Sequence, residues 1–336
     1  MTTLGRSSVE VGRMGLGCAG LGNLFTAITD ETALATVDAA WDSGIRYFDT
    51  APHYGLGLSE RRLGAALACK PRDGFVVSTK VGRLLEQNPS YDGSQRDSEG
   101  FDVAAELLRR WDHSAAGVRA SIESSLKRLG LDRIDLVIIH DPEQNEADPE
   151  QGIREAAPEL ERMRDEGIIG AFGVGTRSTA VLERFVEGTS IDAIMLAGRY
   201  TLLNHEALAF LLPACLRATV SVLNVGVFNS GILAAPRPSA AATFEYERAD
   251  TDLLARVNAI ADVCAQFETT LPKAALSFAL GHPAIAAAVI GASAPEQTRA
   301  NAGLLDEPSP PQEFWDELVR RGLLEDWALE GVRRSS

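Results

Sequence analysis

The chain has 336 residues, 45% of them hydrophobic, with glycine and proline dispersed and no low-complexity tract, which supports a large core and fits one domain over 1–336. Its formal charge of −15 excludes a general nucleic-acid surface, which needs clustered Lys and Arg, but leaves room for a local basic pocket. No apolar run reaches the roughly 18 residues of a membrane span, Met1–Val11 lacks the basic-then-apolar order of a secretory signal, and four scattered cysteines form neither a CxxC pair nor a zinc spacing, so free thiols in a reducing cytoplasm and no metal are expected.

A short apolar strand at Met14–Leu16 comes first. Ala33, Leu34, Val37, Ala40 and Trp41 then recur at helical spacing, and Gly44 stops that helix before a strand at Ile45–Phe48. Phe75–Thr79 is the third strand. The segment Arg83–Trp111, with Asn88, Pro89, Gly93 and many charges, breaks the rhythm and reads as a long loop. Val118, Ile122, Leu126 and Leu129 form a second helical stripe, ended by Gly130 before Asp135–Ile139. Ile153, Ala156, Leu160 and Met163 form a third, ended by Gly167 before Gly170–Val174. Ile191–Leu196, Val220–Val225 and Ala286–Ile290 complete the strands, with a second long loop at Ala235–Thr251. Strands that are apolar throughout are buried on both faces. Such strands alternating with amphipathic helices predict a parallel sheet, and eight of them favour a closed (β/α)₈ barrel over a doubly wound sheet.

Three consecutive strands end on a lone ionisable residue: Asp49, Lys80 and His140. Barrel active sites sit at the carboxyl ends of the strands, so these side chains converge on one rim, within reach of Tyr54 in the following loop. A tyrosine of ordinary pKa near ~10 is a poor acid or base at neutral pH. A neighbouring ammonium lowers that value, and a carboxylate holds the ammonium in place. Lys80 and Asp49 suit those parts for Tyr54, and His140 suits a hydrogen bond to a substrate oxygen. No nucleophile is matched with a base, so proton transfer coupled to a redox cofactor fits better than acyl transfer.

The segments 44–55 (Gly-Ile-Arg-Tyr-Phe-Asp-Thr-Ala-Pro-His-Tyr-Gly), 78–81 (Ser-Thr-Lys-Val), 125–130 (Ser-Leu-Lys-Arg-Leu-Gly), 135–140 (Asp-Leu-Val-Ile-Ile-His) and 289–301 resemble the aldo-keto reductase superfamily. The resemblance runs from about Gly15 to Asn301. It implies a (β/α)₈ barrel, a nicotinamide nucleotide extended across the barrel mouth, and Tyr54 as general acid/base with Lys80, Asp49 and His140. The segments 51–60, 196–203 and 226–231 resemble the branch that includes L-fucose and D-threo-aldose 1-dehydrogenases, L-galactose dehydrogenase and pyridoxal 4-dehydrogenase. That branch implies oxidation of a cyclic hemiacetal to a lactone.

The resemblance also assigns the cofactor residues: Gly17 and Cys18, Thr176, the run Phe228, Asn229, Ser230 and Gly231 at the pyrophosphate, and Gly291, Ser293, Gln297 and Asn301 toward the adenosine. Gly175-Thr176 replaces a Ser-Asn pair, Ala197 a Gln, and Val225 a stacking aromatic. Gly291 and Gln297 stand where NADPH-preferring relatives carry Lys and Arg, so NAD is the expected cofactor and NADP the alternative. Arg299 lies about 200° around the helix from Gln297 and is expected to be exposed. On the substrate side, Ala19 and Gly82 stand where aromatics are frequent, while His53, Arg83 and Asp141 are polar. A wall stripped of aromatics and supplied with hydrogen-bonding groups suits a polyol, so the expected partner is a small sugar or aldehyde. The rival readings are a pyridoxal 4-dehydrogenase, an NADPH-dependent reductase of broad range and a cofactor-sensing, protein-binding barrel.

Overall fold

The computed structural model describes residues 1–144 and 148–329; the parts of the expected 1–336 domain at 145–147 and 330–336 lie outside them. Eight parallel strands close into a barrel in sequence order: β1 (Met14–Gly17), β2 (Tyr47–Asp49), β3 (Val76–Val81), β4 (Ile134–His140), β5 (Ile169–Thr176), β6 (Ala193–Ala197), β7 (Ser221–Val225) and β8 (Ile285–Gly291), with β8 pairing back onto β1. Each lies within two residues of its sequence-based position. Each crossover carries a helix that packs on the outside of the barrel.

The local signals act as expected. Gly44, Gly130 and Gly167 adopt φ of 81°, 65° and 75°, the left-handed region that lets a helix end and the chain turn into the next strand. Ser114, Ser178, Asp250 and Thr270 each accept a backbone N–H at the start of a helix. Leu34 is the exception in the first stripe: it is exposed, whereas Ala33, Val37 and Ala40 are buried.

Two apolar layers hold the barrel. The outer layer lies between strands and helices. The inner one fills the barrel with Tyr47, Leu136, Ile138, Met195, Leu223 and Val289, and its floor is a small N-terminal hairpin, Thr2–Thr3 against Glu10–Val11, that inserts Leu4, Val9 and Val11. Gly15 is needed inside, because a Cβ there would lie 2.5 Å from the Tyr47 ring. The lower barrel is therefore a packed core, and the cavity that reaches Tyr54 opens at the carboxyl ends of the strands.

The structure corrects both long loops. Arg83–Trp111 begins and ends as an antiparallel ribbon, Arg83–Gln87 against Leu107–Trp111, with Arg83 opposite Trp111. Its inward positions include Arg83 and Arg109, so no apolar alternation marks it in the sequence. Within Ala235–Thr251, Thr243–Phe244 pairs with Glu247–Arg248 around Glu245 and Tyr246, whose φ of 53° and 70° form the turn without glycine.

Candidate active site

Asp49 and His140 end β2 and β4, Lys80 stands next to last in β3, and the structure brings all three together with Tyr54. Lys80 Nζ donates to Asp49 Oδ1 at 2.9 Å, Asp49 Oδ2 at 2.8 Å and the Thr50 carbonyl at 2.9 Å. Ser78 Oγ donates to Asp49 Oδ1 at 2.7 Å. Both members of the ion pair are almost fully buried, 2% and 3% exposed. Lys80 Nζ lies 4.6 Å from the centroid of the Tyr54 ring.

Burial disfavours the Lys80 ammonium, but Asp49 and Tyr54 outweigh it and raise the pKa above the usual lysine range. For Tyr54 the balance differs from the sequence-based expectation. Burial pushes its hydroxyl up to about 12, and Lys80 offsets that only in part. Burial, reinforced by Arg83 and Lys80, holds the His140 pKa well below the histidine range. His140 is therefore a neutral imidazole, with one ring nitrogen able to donate. Its ring stands at 90° to that of Tyr54, with centroids 6.1 Å apart.

A cavity of about 380 Å³ opens over these groups. His53, Arg83, Asp141 and Thr176 all line it. Arg83 Nη2 donates to Asp141 at 2.5 Å and to Gln144 at 3.0 Å, while its guanidinium lies 4.5 Å from the Trp111 ring centroid. Burial raises the Asp141 pKa to about 6, against the pull of Arg83. Burial, with Arg83 and Arg109, lowers that of His53 to about 2.

The expectation of a wall stripped of aromatics needs correction. Phe25, Phe101 and Tyr246, from three separate loops, line the cavity in addition to the polar groups. Phe101 packs edge-on against His53 at 5.1 Å and lies 6.0 Å from Tyr54. Nor does Gly82 open space: its φ is +105°, and a Cβ there would meet His113 Nε2 at 2.2 Å. None of these aromatics lies in a recognisable motif, because each reaches the mouth from a loop whose path the sequence leaves open.

A second cavity of about 620 Å³ continues from the first, sharing Ala19, Leu24, Phe25 and Tyr246. Phe228, Asn229, Ser230, Gly231, Gly291, Ser293 and Gln297 all line it. Gly17 and Asn301 line neither cavity, and Cys18 is fully buried in the outer core layer, where burial raises its thiol pKa. Arg299 is exposed, its nearest carboxylate Glu296 at 4.0 Å, whereas Gln297 Oε1 accepts from Ser293 N at 2.9 Å.

The groove's shape fits an elongated dinucleotide. Asn229, Ser230 and Gly231 have successive φ of 46°, 58° and 98°, which bend the backbone around one side of it. Asn229 Oδ1 is buried there with no partner. At Gly291 a Cβ would meet nothing closer than 3.9 Å, so the absent side chain leaves room in the groove itself. Among the described residues, no group of three or more His, Cys, Asp or Glu is placed to hold a metal, and no helix is long and apolar enough to cross a membrane.

The model of the aldo/keto reductase family matches residues 13–319. The chain belongs to the aldo/keto reductase family. It is therefore an oxidoreductase acting on CH–OH or C=O groups with NAD(P)(H). It is 44% identical over 321 residues to a D-threo-aldose 1-dehydrogenase of Pseudomonas sp, covering 95% of this chain and 96% of the relative. It is 37% identical over 335 residues to a pyridoxal 4-dehydrogenase of Microbacterium luteolum, covering 96% and 97%. Among solved structures, the holo form of an aldo-keto reductase from Bacillus halodurans matches with a TM-score of 0.73, 25% identity and 96% coverage of both chains. The D-threo-aldose and pyridoxal dehydrogenases fall in the branch indicated by the sequence motifs, and the family's barrel is the fold observed.

Proposed function

We propose that this aldo/keto reductase oxidises the anomeric C–OH of an aldose to a lactone, with NAD as its preferred cofactor. The observation that carries this reading is the pair of buried Arg83 and half-buried Asp141, which faces the Tyr54–Lys80–His140 cluster across one small cavity. A guanidinium and a carboxylate side by side offer donors and acceptors to neighbouring ring hydroxyls, and Asp141 joined to Arg83 adds little net charge against a neutral sugar. The 44% relative named for D-threo-aldose supports the same substrate class.

Each residue then has a task. Lys80 stabilises Tyr54 as tyrosinate, which takes the proton of the anomeric hydroxyl and becomes the neutral phenol. Asp49 acts through Lys80, fixing its ammonium. His140, as a neutral donor, orients the substrate oxygen. Bound in the adjoining groove, the nicotinamide supplies the acceptor for the hydride that leaves the anomeric carbon. Phe228, Asn229, Ser230 and Gly231 would hold the cofactor on one side of that groove, with Gly291, Ser293 and Gln297 also lining it. Gly17, Cys18 and Asn301 are left with backbone or peripheral contacts at most. With neither Gly291 nor Gln297 cationic and Arg299 turned to solvent, no positive side chain of Pro295–Gly303 faces a 2′-phosphate.

A second substrate reading has its own support. Phe25, Phe101 and Tyr246 offer faces for a flat ring, and the 37% relative is named for pyridoxal. The test is a panel of aldoses, pyridoxal and small apolar aldehydes, each with NAD⁺, NADP⁺ and the reduced forms. Oxidation led by an aldose is expected. Activity led by pyridoxal selects the second reading, and NADPH-driven reduction of many carbonyls rejects both. Tyr54→Phe is expected to lose at least ~10²-fold in turnover with fold and cofactor binding intact; near-normal turnover removes Tyr54 from its role.

A further inference from the structure

We infer that Arg109 is a positioning residue for the reaction, holding the peptide that joins His53 to Tyr54; this rests on Tyr54 as the acid/base of the proposed chemistry. Along Leu107–Trp111 side chains alternate between exposed and inward-facing, and Arg109 faces inward. Its side chain is only 7% exposed, and that of its partner Asp97 only 4%. The guanidinium forks onto Asp97, with Nη1 donating to Oδ1 at 2.5 Å and Nη2 to Oδ2 at 3.0 Å. Nη2 also donates to the His53 carbonyl at 2.9 Å.

That carbonyl is the other end of the peptide whose N–H belongs to Tyr54. The Tyr54 N–H donates to the Ala51 carbonyl at 3.1 Å. A peptide unit is planar, so fixing both its polar atoms fixes the plane from which the Tyr54 side chain projects. Phe101, in the same excursion of the ribbon as Asp97, packs on the rings of both His53 and Tyr54. The ribbon walling the substrate cavity is thereby locked to the loop carrying the acid/base.

The arrangement is costly if its purpose is stability alone. Two charges are taken out of water, and Arg109 Nε is left buried without a partner. A packed apolar pair would serve a structural role as well, but neither side chain of such a pair donates to a carbonyl. The guanidinium fork can hold a carboxylate and a carbonyl together, and a single ammonium lacks that geometry.

The test uses Arg109→Lys and Asp97→Asn in the full chain, with circular dichroism to establish folding. Turnover is measured on the best sugar and on a small aldehyde, and NAD(P)H affinity by fluorescence. Displacing a reacting group by about 1 Å costs on the order of 10²-fold, so kcat is expected to fall ~10- to 10²-fold while NAD(P)H affinity stays within about twofold. The apparent pKa in the pH–rate profile is expected to shift as well. A lowered Tm with kcat and pH profile unchanged in either folded variant overturns the inference, as does loss of fold in both. If the wild type turns over only the aldehyde, the sugar reading fails and Arg109 is judged on the aldehyde kcat. Wild-type turnover in Tyr54→Phe removes the acid/base on which the inference rests.

Discussion

Replacing Lys80 by Met leaves Asp49 as a buried carboxylate that has lost two of its three side-chain hydrogen bonds, keeping only the 2.7 Å bond from Ser78. The Thr50 carbonyl loses its donor too. Removing one partner of a buried ion pair costs ~3–5 kcal/mol, chiefly because the remaining charge has no compensation. Lys80→Met should therefore lose that much stability, read by urea denaturation. Lys80→Met with Asp49→Asn, which leaves no charge behind, should recover about 2 kcal/mol as the coupling term of a double-mutant cycle. The kinetic consequence follows from the same geometry. The Tyr54 hydroxyl already stands at about 12 through burial, and Lys80 is the main group pulling it down. Without Lys80 the pKa rises further, the tyrosinate fraction at fixed pH drops tenfold for each unit of about 1.4 kcal/mol, and oxidation should slow by at least ~10²-fold, with its alkaline limb displaced upward. A stability loss under ~1 kcal/mol would equate the pair with an ordinary surface salt bridge and refute the reasoning.

Acid should destabilise the protein. Burial lowers the pKa of His53 to about 2 and those of His113 and His205 to about 4, and that of His140 also lies well below its usual value. The unfolded chain therefore binds more protons than the folded one below pH ~6.5, and each such imidazole removes ~1.4 kcal/mol per pH unit as pH falls. Asp141, raised to about 6, works in the opposite direction over the interval down to its unfolded value, as do Asp135 and Glu183, whose carboxyls burial also raises, but these are three groups against four. The Tm should drop steeply between pH 7 and 5, and a flat Tm over that interval would contradict neutral burial of these histidines. His53→Phe should impair sugar oxidation more than reduction of a small apolar aldehyde, and equal losses in kcat/KM would argue against a sugar contact at His53. With the best sugar, kcat/KM should be higher for NAD⁺ than for NADP⁺; an advantage for NADP⁺ abolished by Arg299→Ala would place that arginine at the ribose.

Those parts of this protein that are periodic or local can be read directly from the order of its residues. The stripe Val118, Ile122, Leu126 and Leu129, followed by Gly130 and an apolar strand, has one reading because helix period, left-handed cap and two-sided burial agree. Repeated around the chain, that unit specifies the barrel, and the barrel places Asp49, Lys80 and His140 on one rim. The residues from Phe228 to Gly231 and Gly291, Ser293 and Gln297 were legible for a different reason, through the resemblance to the family, as short runs attached to strand ends, and they line the groove.

The two excursions take their form from the folded chain, where contacts between residues distant in sequence leave no period to read. Arg83 and Arg109 face inward on a ribbon that no apolar alternation marks, and become buried cations only because Asp141 arrives from the end of β4 and Asp97 folds back from the middle of the same excursion. Phe25, Phe101 and Tyr246 look like isolated surface aromatics until three loops meet over the mouth and restore walls at a cavity whose usual positions hold Ala19 and Gly82. The Tyr54 pKa belongs to the same class. The charge of its neighbour Lys80 can be read from the motif, but the desolvation that opposes it comes from every group packed around the hydroxyl, and that packing exists only once the barrel has closed.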